Sequence, residues 1–131
     1  DWSKVKIVQA PGDEEKYGNQ DTDGSRSMRH WFMPMRRCGA AARQMLALAA
    51  AQQWGVPVAE VQAINHVVTH KPSGRSLGYG ALAEAAAKLD VPKRESLRLK
   101  DAKDFRYIGK QDGYLVDAEV IVTGRSQYGI D

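Results

Sequence analysis

Apolar and polar residues change period several times along the chain, and each change marks an element. Val5 and Ile7 alternate with Lys4, Lys6 and Gln9, the period of a half-buried strand, until Pro11-Gly12-Asp13 breaks it. Residues 12–24 are rich in Gly, Asp, Glu, Asn and Thr, with Tyr17 the only large apolar group, and read as a long surface loop. Over residues 35–54, Cys38, Ala41, Met45, Leu48 and Ala51 recur at three- and four-residue steps, widened by Leu46 and Ala49 and stopped by Gly55 and Pro57. This spacing predicts a long alanine-rich helix. Residues 58–70 carry Val61, Ile64, Val67 and Val68 around Asn65-His66, a short hairpin preceded by a one-turn connector over 57–60. A second helix is expected over 79–89, with Leu82, Ala85, Ala86 and Leu89 on one face and Asp90 and Pro92 behind it. Residues 91–113 are charged and weakly periodic, and 114–122 has the β-branched character of a strand before Thr123-Gly124. The fold class is α+β: one long Ala-rich helix and a shorter one packed on a small, mainly antiparallel sheet.

Between the polar loop and the long helix lies the stretch with most chemical content. Gly24, Ser25, Arg26 and Ser27 lead into Met28-Arg29-His30-Trp31-Phe32-Met33-Pro34-Met35-Arg36-Arg37, a small-residue turn followed by a basic, aromatic collar. Backbone N–H groups of Gly24, Ser25 and Ser27 can converge on an oxyanion or a heteroatom-rich ring, with two serine hydroxyls as further donors and Arg26 or Arg29 as charge. A solvated turn ahead of a helix is the plain alternative. The collar has two readings of its own: aromatic and basic groups that stack bases and bind phosphates, or a hydrophobic wedge with arginines at its rim.

Composition narrows the function classes. The 131 residues are one domain's worth, 43% hydrophobic and 27% charged, without an apolar run near the length of a membrane span, so a soluble chain is expected. A formal charge of +3 is too small to steer an anionic partner by itself. The single cysteine, Cys38, excludes an internal disulfide and a Cys-rich zinc site. It lies on the apolar stripe with Ala41 and Met45, so a small buried core residue is expected rather than a nucleophile. His66 and His70 are four apart in a turn-containing β-branched stretch rather than on a helix, and no metal site is expected of them. Glu60, Glu84, Asp90 and Glu119 stand apart and are expected at the surface.

Four blocks give a resemblance that covers nearly the whole chain. They are Asp1-Trp2-Ser3-Lys4-Val5 with Gln9-Ala10-Pro11; Gly24-Ser25-Arg26-Ser27 with Pro34-Met35-Arg36-Arg37 and Gly39-Ala40-Ala41-Ala42-Arg43; Ser73-Gly74-Arg75-Ser76-Leu77-Gly78-Tyr79-Gly80 with Leu82-Ala83; and Leu99-Lys100 with Asp104-Phe105-Arg106-Tyr107-Ile108-Gly109. In order and spacing they resemble an internal piece of the molybdenum-binding large subunit of the xanthine dehydrogenase and aldehyde oxidase family, in the branch of isoquinoline 1-oxidoreductase beta subunits. The resemblance implies a molybdopterin cofactor in the full-length protein, contacted by Gly24, Ser25, Arg26 and Ser27. It also implies an iron–sulfur small subunit, a small-molecule substrate hydroxylated with oxygen from water, and packing against the remainder of the large subunit. The family's other cofactor loop would precede Asp1 and its catalytic glutamate would follow Asp131, so no catalytic residue and no bound cofactor are expected in the isolated chain.

The sequence departs from that family at Ile121, where a Lys is usual, and at His66, where Asn-Gly is usual. Residues 1–131 are expected to form one domain of the molybdopterin-binding region, with 125–131 the start of the next. Two other readings stand beside this one. One is a small basic module binding nucleic acid or a protein; the other is one chain of a nicked enzyme.

Overall fold

The computed structural model describes residues 2–6, 8, 10–110 and 117–131, which group into two compact units, Asp1–Leu99 and Lys100–Asp131. In the first unit a 3-10 turn, Trp2–Lys4, precedes an extended segment. The expected first strand does not form among its described residues: Val5 and Val8 are exposed and no strand pairs with them, so alternation alone had nothing to bury against. Ile7 and Gln9 lie outside the described residues. Helix α1, Glu14–Tyr17, is a single turn inside the polar loop, started by the Asp13 carboxylate accepting from Lys16 N at 3.0 Å.

Helix α2, Arg26–Trp54, begins nine residues before the predicted start and runs through Pro34. Proline there removes one intrahelical donor, the bond to the His30 carbonyl, which is why the sequence pattern alone pointed to a start beyond it. At the other end Gly55 takes the left-handed conformation (φ 65°, ψ 39°), and Val56 N reaches Ala51 O at 3.0 Å while Gly55 N reaches Gln52 O at 3.2 Å. This crossed pair satisfies the last carbonyls and turns the chain, a role that needs a residue without Cβ strain.

The 3-10 connector Val58–Glu60 leads into β1, Val61–Ile64, and β2, Val67–His70, joined through Asn65 and His66 at φ 49° and 67°. Two positive φ values in a two-residue loop match the twist of the strands and fix the register Ala63↔Val68 and Val61↔His70. A third strand, β3, Ser76–Gly78, is absent from the sequence-based expectation; it extends the antiparallel sheet in the order β1-β2-β3 with Leu77 opposite Val68. Three residues around one apolar side chain are too short for a period to register.

Ala63, Val68 and Leu77 thus share the inner face. Helix α3, Tyr79–Ala87, follows β3 directly and sets Leu82 and Ala86 on that face, while Ala49 and Ala50 of α2 complete the cluster. Four of the six central residues are alanine, so α2, α3 and the sheet approach closely but bury little per residue. Among the described residues, Leu82 and Val68 are the largest side chains that are fully buried.

The second unit holds a 3-10 turn, Ala102–Asp104, and α4, Ala118–Val122, where a strand was expected over 114–122. The β-branched Val120, Ile121 and Val122 suggested the strand, but local bonds decide otherwise. Thr123 donates its hydroxyl to Glu119 O at 2.6 Å, and Arg125 pairs with the Glu119 carboxylate. Residues 114–116 lie outside the described residues.

With so few large core residues, Leu82→Ala is expected to cost about 2–5 kcal/mol, enough to unfold much of the first unit, whereas Val91→Ala, at an exposed position, stays within about 0.5 kcal/mol. Urea denaturation of the two variants checks this.

Candidate cofactor loop and the Glu60–His70–Ser73 clamp

The loop before α2 is held from both ends. Gly24 (φ 46°) and Ser25 (φ 59°, ψ 28°) are consecutive left-handed residues at the helix start. For Ser25 this conformation costs about 1–2 kcal/mol, and its hydroxyl makes no capping bond in return. A strained serine whose side chain is not spent on the cap is a feature of sites that hold a ligand.

The backbone donors divide clearly. Arg26 N is used by Asp23 O at 2.7 Å, and Met28 N and Arg29 N share Ser25 O at 3.1 and 3.0 Å. Among the described residues, the amides of Gly24, Ser25 and Ser27 have no acceptor in the protein. These are the three amides the sequence suggested.

Arg26 has a different place from the one expected. Its Nη1 donates to Asn19 Oδ1 at 2.9 Å and Asp21 Oδ2 at 3.2 Å, and its Nε lies 3.1 Å from Asp23 Oδ1, an ion-pair approach without hydrogen-bond alignment. The guanidinium therefore ties residues 19–23 to the helix start. Arg29 is the cation that lies over the turn: its Nη2 is 3.4 Å from where a Cβ on Gly24 would stand. Two acids and two arginines leave the loop near neutral, so it suits a ligand bound by many hydrogen bonds better than a bare anion.

Thr22, Asp23, Gly24, Ser25, Arg26 and Ser27 line an open hollow of about 190 Å³. Complete small-molecule sites are roughly 300–1,000 Å³ and enclose most of the ligand, and this hollow is smaller than that. Cys38 is exposed rather than buried, against expectation. It stands thirteen residues along the helix from Ser25, roughly 20 Å at 1.5 Å per residue, too far to serve the loop.

A second cluster went unseen in the sequence. His70 is 5% exposed; its Nε2 is 2.8 Å from Glu60 Oε2 and its Nδ1 is 2.7 Å from Ser73 Oγ. Glu60, expected at the surface without a partner, is thus half-covered and paired. The Glu60 carboxylate can only accept, so His70 Nε2–H donates to it, and Arg75 Nε, which can only donate, reaches Ser73 Oγ at 2.9 Å. With its oxygen already accepting from arginine, Ser73 is a clamp rather than a nucleophile. Glu60 also receives Lys71 N on its carbonyl at 2.9 Å, and Arg75 O receives His70 N at 2.9 Å. Continuing the pairing past Val61↔His70 sets Glu60 opposite Lys71, so the strand register by itself does not show the Glu60–His70 pair.

Tyr79 faces His66 across the sheet, ring centroids 5.5 Å apart, and burial raises its phenol above the ordinary 10, opposed in part by the nearby Arg43 charge. Arg43 is itself tied down, donating from Nε to Ala63 O at 3.0 Å. Among the described residues there is no group of three metal-ligating side chains, and no helix is long and apolar enough to cross a membrane.

The small-residue loop with the first part of α2, and β3 with the start of α3, carry the second and third of the four sequence blocks. By descent the chain belongs to the xanthine dehydrogenase and aldehyde oxidase family of oxidoreductase large subunits. Over 98 residues, 70% of this chain, it is 37% identical to the isoquinoline 1-oxidoreductase subunit beta of Brevundimonas diminuta. The match spans 12% of that protein's length, and no protein-family model matches the chain.

Two measurements check the geometry. Glu60→Ala leaves a buried imidazole N–H unpaired and is expected to cost about 1–3 kcal/mol, read by urea denaturation. Because the Tyr79 phenol is raised, its stabilisation is complete below the unfolded tyrosine value and is lost as pH climbs through the folded one. The alkaline difference spectrum between the native chain and Tyr79→Phe should show that tyrosine titrating above 10, and higher still in Arg43→Met.

Proposed function

We propose that residues 1–131 form part of the molybdopterin-binding region of a molybdenum hydroxylase large subunit, in which Gly24, Ser25, Arg26 and Ser27 supply one wall of the cofactor site. The observation that carries this is the 37% identity to an isoquinoline 1-oxidoreductase beta subunit over 98 residues. The loop supports it: three unspent amides, an unspent serine hydroxyl and near-neutral charge suit a flat ring with alternating donors and acceptors. Gly24 and Ser27 present their amides, Ser25 adds its hydroxyl, and Arg26 keeps the turn rigid through Asn19, Asp21 and Asp23. When bound, the cofactor supplies oxygen and electron transfer, and the polypeptide orients it.

The whole protein, in this reading, hydroxylates an N-heterocycle or an aldehyde with oxygen from water and passes electrons to an iron–sulfur small subunit. Residues 125–131 begin its next domain. The isolated chain contributes one wall only and has no turnover of its own; hydroxylation by this polypeptide alone would contradict the proposal.

The direct test is made in the longer protein. Gly24→Val forces a branched side chain into a left-handed turn beneath Arg29, and Ser27→Ala removes a hydroxyl donor; together they weaken the cofactor site by about 2–4 kcal/mol. Molybdenum content per purified protein should fall at least tenfold while the circular dichroism spectrum is kept. Unchanged molybdenum content would exclude these residues from the site.

A further inference from the structure

The N-terminal half of α2 has a face that nothing in the first unit's core covers. Met28, Trp31, Met35, Cys38 and Ala42 follow one another at alternating three- and four-residue steps, and the same rhythm continues to Met45 and Ala49. The last two pack into the core; the first five are exposed, Met28 by 63%, Trp31 by 49% and Met35 by 65%. So one seam is half engaged and half bare. Phe32 and Gly39 widen it to a stripe of roughly 120°, the width of a helix face that packs on another element.

The border of this stripe is charged with one sign. Arg29, Arg36 and Arg43 recur every seven residues along one side, Arg36 lying over the Phe32 ring at 5.3 Å, and α2 as a whole has five arginines and no acid. Arg29 stands near the helix N-terminus, where the backbone dipole already disfavours positive charge. That arrangement is costly alone and favourable opposite carboxylates.

We propose that this seam seats an amphipathic α-helix whose apolar residues alternate at three- and four-residue steps and whose border carries glutamates or aspartates opposite Arg29 and Arg36. Two features select that occupant. A seven-residue repeat of both apolar and charged positions fits the period of a second helix lying along the first. A second copy of α2 packed antiparallel would set one arginine row against the other, which disfavours that pairing. The inference goes beyond the cofactor reading and does not depend on it, since the seam lies on the helix flank and its test uses no molybdenum.

The probe is a synthetic helical peptide about three heptads long, with leucine at the seam positions, glutamate along the border and a fluorophore for anisotropy; its control has lysine for each glutamate. The 131-residue chain should bind the glutamate peptide at least tenfold more tightly than the lysine peptide, and less so as salt rises. Arg29→Glu with Arg36→Glu should invert the preference, and Trp31→Ala should weaken binding of the glutamate peptide at least tenfold. Equal affinity for the two peptides, no binding of either, or tighter binding of a single-stranded oligonucleotide than of the glutamate peptide would overturn the proposal.

Discussion

The contact on which the first unit rests is the close approach of Ala49 and Ala50 in α2 to Ala63 and Val68 in the hairpin, with Leu82 of α3 filling the angle between them. A larger residue on either alanine would push the helix off the sheet, and a one-residue slip of the hairpin would turn Ala63 and Val68 outward together. The type of turn at Asn65-His66 and the alanines of α2 therefore specify the same arrangement from two sides. Because this contact engages only the C-terminal half of α2, the remainder of the helix projects from the core with its loop at the far end.

That division explains which features could be read from the sequence. The hairpin was legible because Asn65 and His66 tolerate positive φ and β-branched residues flank them. The second helix was legible through Leu82, Ala86 and the stop at Asp90 and Pro92. The first nine residues of α2 were not, since Pro34 and a run of basic and aromatic residues obscure helical spacing. Residues 120–122 were misread because β-branching was weighed without the Thr123 and Arg125 side chains that close the turn on Glu119. The clamp of Glu60, His70 and Ser73 is invisible to any local pattern, since the register sets Glu60 opposite Lys71.

The candidate loop was legible in composition and not in its internal arrangement. Gly24, Ser25 and Ser27 present the donors their residue types suggested. Arg26, the obvious cation, is spent on Asn19, Asp21 and Asp23, and the charge over the turn belongs to Arg29. The polar segment before α2 is thus more than a connector: its asparagine and aspartates restrain the strained turn by gripping an arginine. Rigidity of this kind lowers the entropy lost on binding a ligand, at a cost in local strain that other contacts of the loop offset.

The chain matches 12% of its relative's length. A cryo-electron microscopy map of the longer large subunit with its molybdenum cofactor tests this account most directly. The cofactor's ring heteroatoms should lie within hydrogen-bond distance of the Gly24, Ser25 and Ser27 amides, with Arg26 still held by Asp21 and Asp23. A map in which that turn faces bulk solvent, with the cofactor bound elsewhere, would contradict it.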